Sequence, residues 1–215
     1  SPTPEALCES ALYHIALLEK FGFYDTLISI KASTVKDMID ANRLIAAKCD
    51  YPLHLGVTEA GGGERGLLKS TAGIGALLCD GIGDTIRVSL TDDPVQEIAA
   101  ARKILQALEI EGQSGLDIVS CPTCARTEID LIPLVKRFEA AVAAEGLDTV
   151  PVKVALMGCV VNGPVEAREA DVGIAGGKGE AVLFRHGEVV EKIPEAQIVE
   201  RLLREVRTLK ERKMI

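Results

Sequence analysis

The stretch Pro52-Leu53-His54-Leu55-Gly56-Val57-Thr58-Glu59-Ala60-Gly61-Gly62-Gly63 decides the fold. Pro52 to Val57 reads as a short strand, too brief for a helix, and the glycines that follow read as a turn. A helix over roughly 65–79 completes one βα unit. The same order of signals recurs on both sides. A helix over 5–19 leads to the apolar run Thr26-Leu27-Ile28-Ser29-Ile30. Thr34 then caps a helix whose inner face is Val35, Met38, Ile39, Ile45 and Ala46. Thr85 to Leu90 is a third strand, and Asp93-Pro94 opens a helix with Ile98, Ala101, Leu105 and Leu108 on one face. Leu116 to Ser120 is a fourth. Strand starts near 26, 52, 85 and 116 lie 26 to 33 residues apart, the rhythm of a parallel sheet. The units share no sequence self-similarity, so this is a fold rhythm and not a repeat. A closed eight-stranded barrel takes about 250 residues. Three or four units make a small open sheet, or the C-terminal part of a barrel.

After Gly112 the rhythm changes. A helix carries Leu131, Leu134, Val135, Phe138 and Val142 on one face, and strands follow at 152–157 and 171–175. Ala181 to Phe184 turns at His186-Gly187 into Glu188-Val189-Val190, a hairpin pattern. The last helix, about 195–213, points Ile198, Val199, Leu202, Leu203, Val206 and Leu209 inward. The expected division is therefore an α/β part at 1–112 and an α+β module at 113–215, with Glu111 to Gly115 as linker.

The 215 residues include 24 basic and 32 acidic side chains, a formal charge of −8, and 47% are hydrophobic. That apolar fraction excludes intrinsic disorder. An acidic chain lacks the basic face that nonspecific nucleic-acid or membrane-surface binding needs. No apolar run approaches the ~20 residues of a membrane span, and no export leader is visible, so a cytoplasmic location is expected.

Six cysteines stand at 8, 49, 79, 121, 124 and 159. Cys8, Cys49 and Cys79 fall in or at the end of apolar helical patterns and read as small buried hydrophobes. Cys121-Pro122-Thr123-Cys124 follows directly on a strand, and Cys159 comes just past another, Val154 to Gly158. Two strand ends in one module can bring three sulfurs together, and a metal centre then needs a fourth ligand. Glu166, across the Asn162-Gly163-Pro164 turn, is one candidate and His186 the other. Spacing alone leaves three readings open: a redox dithiol at Cys121 and Cys124, a structural zinc site with His186, or a 4Fe–4S cluster on three cysteines.

The stretches Ser120-Cys121-Pro122-Thr123-Cys124-Ala125-Arg126-Thr127-Glu128 and Gly158-Cys159-Val160-Val161-Asn162-Gly163-Pro164-Val165-Glu166 resemble one family closely. It is hydroxymethylbutenyl diphosphate synthase, the reductive enzyme of the non-mevalonate isoprenoid pathway. The likeness also runs through Ser29-Ile30-Lys31-Ala32-Ser33, through His54 to Gly62, and through Ile86-Arg87-Val88-Ser89-Leu90, and so covers nearly the whole chain. One departure is Val165, where the family usually has glycine.

The resemblance implies the last part of a (β/α)₈ barrel of TIM type followed by an α+β iron–sulfur module. It implies a 4Fe–4S cluster held by Cys121, Cys124, Cys159 and Glu166, with the carboxylate as the exchangeable ligand. The reaction it implies is a two-electron reductive ring opening of methylerythritol cyclodiphosphate, with a hydroxyl lost as water. Electrons would come from ferredoxin or flavodoxin, and the family acts as a homodimer. Lys31, Arg87, Ser89 and Asn162 map onto the substrate pocket, and Glu59 onto a proton donor. Earlier barrel strands are missing from this sequence, so the chain alone is expected to be inactive.

The residues agree from their own direction. Lys31, Glu59, Arg87 and Ser89 lie at or near strand C-termini, the face on which barrel enzymes work. Lys31 and Arg87 offer local positive charge to a diphosphate in an acidic protein. Gly61-Gly62-Gly63 reads as a tight turn and not a phosphate cradle. Gly176-Gly177-Lys178-Gly179 reads as a loop into the hairpin, because it opens no helix. His54 has at most a supporting role, and His14 has no clear partner.

Overall fold

A computed structural model describes residues 2–110, 115–161 and 168–213. The chain forms two compact units, Ser1–Gln113 and Ser114–Ile215.

The first unit runs α1 (Pro4–Lys20), α2 (Val35–Ala46), β1 (His54–Leu55), α3 (Gly63–Cys79), β2 (Thr85–Ile86) and α4 (Pro94–Ala107). Thr3 Oγ1 accepts the Ala6 N–H at 3.3 Å and Asp93 Oδ1 the Val95 N–H at 2.9 Å, so both helices with proline in the first turn are capped by the preceding residue. Regular strand is shorter than the sequence pattern suggests. β1 and β2 pair in parallel over two residues, His54 with Thr85 and Leu55 with Ile86, and Ile28 bridges Leu53. Backbone bonds extend the register further: His54 N–H to Ile28 O (2.8 Å), Thr58 N–H to Ala32 O (3.1 Å) and Arg87 N–H to Leu55 O (2.8 Å). Leu53, Leu55 and Val57 are buried in the core. By the period of two, His54, Gly56 and Thr58 occupy the opposite face.

Ile28, Ile30, Met38, Ile45, Ile74, Leu77 and Ile104 fill this core, with Cys8 fully buried among them. The buried Asn42 amide donates to Ile30 O (3.1 Å) and Met38 O (2.8 Å), tying α2 to the extended segment before it. Three expectations need correction. Thr34 precedes α2, but its hydroxyl binds the Asp37 carboxylate and no backbone N–H. Cys79 is exposed, because it lies two residues past Leu77 and so roughly opposite the buried stripe of α3. Ile98 is 58% exposed, and α4 buries Ala100 and Ile104. That helix is apolar on most sides, so helical spacing alone allows either stripe.

The second unit runs β3 (Asp117–Ser120), α5 (Leu131–Ala144), β4 (Lys153–Met157), β5 (Val172–Gly177), β6 (Glu180–Arg185), β7 (Glu188–Pro194), a 3₁₀ turn (Glu195–Gln197) and α6 (Ile198–Lys213). The sheet order is β3-β4-β5-β6-β7, with parallel pairs up to β5 and antiparallel pairs after it. Leu134, Phe138 and Val142 of α5 and Ile198, Leu202 and Val206 of α6 pack with Val154, Leu156, Val172, Ile174 and Leu183 of the sheet. His186 and Gly187 have φ of +48° and +78°, which suits the two-residue turn of a right-twisted hairpin. Gly176 and Gly177 end β5, and Lys178 and Gly179 turn it into β6, so the stretch expected as a loop leading into the next hairpin is part strand and part the turn of a hairpin of its own. Among the described residues no helix is long and apolar enough to cross a membrane.

One charged residue of this core escapes a pattern-based reading. Glu205 of α6 is 5% exposed. Arg185 grips it through two bonds of 2.6 Å, Arg201 also reaches it, and Arg201 Nε binds Glu191 at 2.7 Å.

Candidate functional site

In the first unit, three parallel extended segments bring together Lys31, His54, Gly56, Thr85 and Arg87. The Lys31 ammonium donates to the His54 carbonyl at 3.5 Å. A Cβ on Gly56 would stand 2.7 Å from the Arg87 backbone carbonyl oxygen and 2.9 Å from Lys31 Nζ, so glycine is needed for the neighbouring backbone to approach this closely. His54 Nδ1 lies 2.7 Å from Thr85 Oγ1 on the neighbouring strand. Burial first, and the Arg87 charge second, lower the Lys31 pKa to about 8. Burial, then Lys31 and Arg87, hold the His54 imidazole below its ordinary value. Lys31, His54 and Arg87 thus stand close enough for their charges to oppose one another. Glu59 points elsewhere, its Oε2 accepting the Ser33 hydroxyl at 3.0 Å. Glu59 has φ of +53°, a conformation uncommon outside glycine and frequent at functional turns. Ser89 is half-buried two residues beyond Arg87.

An anion arriving beside Lys31 favours its charged form. Sulfate, which keeps one charge state in this range, is therefore expected to bind less well as pH rises above about 8, by up to tenfold per pH unit. Titration calorimetry between pH 7 and 10 would check this, and Lys31→Arg should flatten the profile. The sign for stability is fixed too. The unfolded chain binds more protons between the folded value of about 8 and the ordinary 10.5, so the Lys31 contribution to stability rises with pH across that window.

In the second unit, β3, β4 and β5 are parallel, so their C-terminal ends share one edge of the sheet. Cys121 follows β3 directly and Cys159 comes two residues after β4. The Gly158 N–H donates to Cys121 Sγ at 3.3 Å, joining the two cysteine-bearing ends. Thr123, inside the Cys121–Cys124 loop, has φ of +63°. Cys124 is exposed, Cys121 and Cys159 are half-buried, and all three are free thiols. Asn162 and Glu166 lie outside the described residues.

The donor chemistry fits an iron–sulfur cluster. Three cysteines, soft sulfur donors, follow neighbouring strand ends, and a backbone N–H is aimed at one sulfur, as cluster ligands need. A single metal ion demands donors converging on one point at about 2–2.3 Å. Among the described residues no three His, Cys, Asp or Glu side chains are grouped to hold one ion. His186 is badly placed for zinc. It follows Arg185, which pairs with Val172 at the start of β5, whereas Met157 before Cys159 pairs with Ala175. About six residue rises, roughly 20 Å, separate His186 from the cysteine edge.

The two halves of the chain match two parts of one family. Residues 1–102 match the GcpE TIM-barrel domain and residues 117–208 the GcpE protein C-terminal domain. The chain belongs to the GcpE family. Similar relatives carry the name 4-hydroxy-3-methylbut-2-en-1-yl diphosphate synthase (flavodoxin). That of Fusobacterium nucleatum is 55% identical over 201 residues, covering 94% of this chain and 56% of the relative. That of Clostridium perfringens is 53% identical over 208 residues, covering 97% and 58%. That of Geobacter sulfurreducens is 54% identical over 205 residues, covering 95% and 57%. This GcpE chain thus spans less than three-fifths of the length of the curated relatives it matches.

Two features of the GcpE chain escaped the sequence reading. Gly56 interrupts an otherwise side-chain-bearing strand, a signal of close approach that could have been taken up. Thr127 stands three residues after Cys124 and had no pattern to mark it.

Proposed function

We propose that this chain supplies the C-terminal part of the (β/α)₈ barrel, at 1–112, and the α+β cluster-binding module, at 113–215, of a 4-hydroxy-3-methylbut-2-enyl diphosphate synthase. The observation that carries the reading is the knitting of two cysteine-bearing strand ends at Gly158, beside a sequence more than half identical to enzymes of that name. The reaction is the two-electron reductive ring opening of 2-C-methyl-D-erythritol 2,4-cyclodiphosphate. Flavodoxin, present in the relatives' name, is the electron donor we assign, with ferredoxin as the other carrier of matching chemistry.

Cys121, Cys124 and Cys159 hold a 4Fe–4S cluster, with Glu166 as fourth ligand. When bound, the cluster delivers electrons singly and acts as a Lewis acid. Lys31 and Arg87 bind and orient the diphosphate, with Ser89 and Asn162 as polar contacts. Gly56 lets the Arg87-bearing strand pass close beside the one that carries His54. Glu59 donates the proton that turns the departing hydroxyl into water, and the Ser33 hydroxyl orients its side chain. The full enzyme works as a homodimer.

The test is purification without oxygen, with iron, sulfide and zinc assayed on one sample. Iron and sulfide near about four each per chain, with a brown colour, are expected. A chain that holds one zinc and takes up no cluster after anaerobic reconstitution would overturn the reading.

A further inference from the structure

We infer that Thr127 is a positioning residue for the cluster, locking the Cys121–Cys124 loop onto the strand end that carries Cys159. The inference rests on the cluster reading above. The Cys124 N–H donates to Thr127 Oγ1 at 3.0 Å, and the Thr127 N–H donates back to the Cys124 carbonyl at 3.0 Å. The turn that ends the cysteine loop is therefore closed from both sides by one residue. The next residue, Glu128, donates its N–H to the Gly158 carbonyl at 2.9 Å. Gly158 in turn donates to Cys121 Sγ at 3.3 Å.

The side chain of Thr127 rests on Gly158 itself. A Cβ there would come within 2.7 Å of Thr127 Cγ2 and 2.9 Å of its Oγ1. The methyl thus meets the strand end before Cys159 while the hydroxyl holds the backbone of Cys124. One half-buried threonine reaches both cysteine-bearing segments. The loop needs such a hold, because Thr123 sits at φ +63°, a conformation that side chains other than glycine disfavour.

The substitutions separate the two contacts. Thr127→Val keeps the shape and removes the acceptor, and Thr127→Ser keeps the hydroxyl and removes the methyl. On anaerobically reconstituted protein, the rate of cluster loss to a chelator is followed by visible absorption. The reduction potential is measured on the same samples, and exchange of the Cys124 amide is measured on apo protein. Thr127→Val is expected to lose cluster about tenfold faster, the factor that one hydrogen bond of ordinary net strength supplies. Its potential should shift, its Cys124 amide should exchange faster, and Thr127→Ser should restore the hydroxyl-dependent readouts.

Gly158→Ala gives a second route if Thr127→Val does not fold. It should speed cluster loss, and adding Thr127→Ser, which removes the methyl at 2.7 Å but keeps the hydroxyl oxygen at 2.9 Å from the new Cβ, should slow it in part. A wild-type chain that holds its cluster while Thr127→Val holds it equally long, at an unchanged potential, overturns the role of Thr127 alone. The same holds for Gly158→Ala without effect. A wild-type chain that takes up no iron and sulfide overturns the cluster reading itself.

Discussion

Cys159→Ser is expected to leave a folded protein that retains no 4Fe–4S cluster, seen as loss of essentially all visible absorption and of bound iron and sulfide. Cys159 is half-buried and lies beyond the end of β4, outside the packed clusters of the second unit. Its thiol supports little of the core, so far-UV circular dichroism and the melting temperature of the apo protein should scarcely move. A serine hydroxyl is a hard ligand that stays protonated near neutral pH, and it replaces one of only three soft donors. Cys8→Ser should give the opposite pattern. Cys8 is fully buried on α1, so a hydroxyl there must be accommodated among apolar neighbours. A loss of about 1–3 kcal/mol is expected, with cluster content unchanged. If Cys159→Ser kept a full cluster, the assignment of that ligand would fail.

Glu205→Ala is the second large effect, a loss of about 2 kcal/mol from the second unit, measured by urea unfolding with a probe in that unit. The carboxylate is almost fully enclosed, while Arg201 is 17% exposed and Arg185 is 46% exposed. Removing the acid leaves the largely enclosed Arg201 guanidinium with Glu191 as its one remaining carboxylate among the described residues. The exposure of Arg185 keeps the cost below that of a fully buried pair. The Arg185 hydrogen bond, outweighing burial, lowers the Glu205 pKa. Its contribution is therefore fully present above the ordinary carboxylate range and disappears as pH falls through the lowered folded value. Wild type should approach the variant's stability under acid conditions, and a difference independent of pH would sink the ionic explanation.

Legibility in the sequence followed the physics of periodicity. The apolar face of α6 stood out because few other residues on that helix are apolar, and Leu202 and Val206 are buried; on α5 the large apolar residues Leu131, Leu134, Phe138 and Val142 fall on one stripe and are buried. The face of α4 did not, because apolar residues surround it. The strands near 26, 52 and 85 were visible as apolar runs, yet their regular pairing covers only two residues in β1 and β2. Hydrophobicity reports burial and says nothing of where a ladder lapses. The cysteines were legible from type and spacing. Thr127 and Glu205 were not, since a threonine after a loop and an acid in a helix are ordinary until their partners, 31 and 20 residues away at Gly158 and Arg185, are known.

The parallel pairing of β3 with β4 also fixes when the cysteine edge can exist. Asp117 meets Lys153 across a long crossover that contains α5, whereas β6 meets β7 through a two-residue turn. Hairpins close in about 1–10 μs, while distant partners must first surrender the freedom of the intervening chain. Leu183 should therefore gain protection from pulsed hydrogen exchange before Ile118 does. The sulfurs of Cys121 and Cys159 would become neighbours late in folding, so iron delivered to a nascent chain would find the hairpin formed and its own seat still unbuilt.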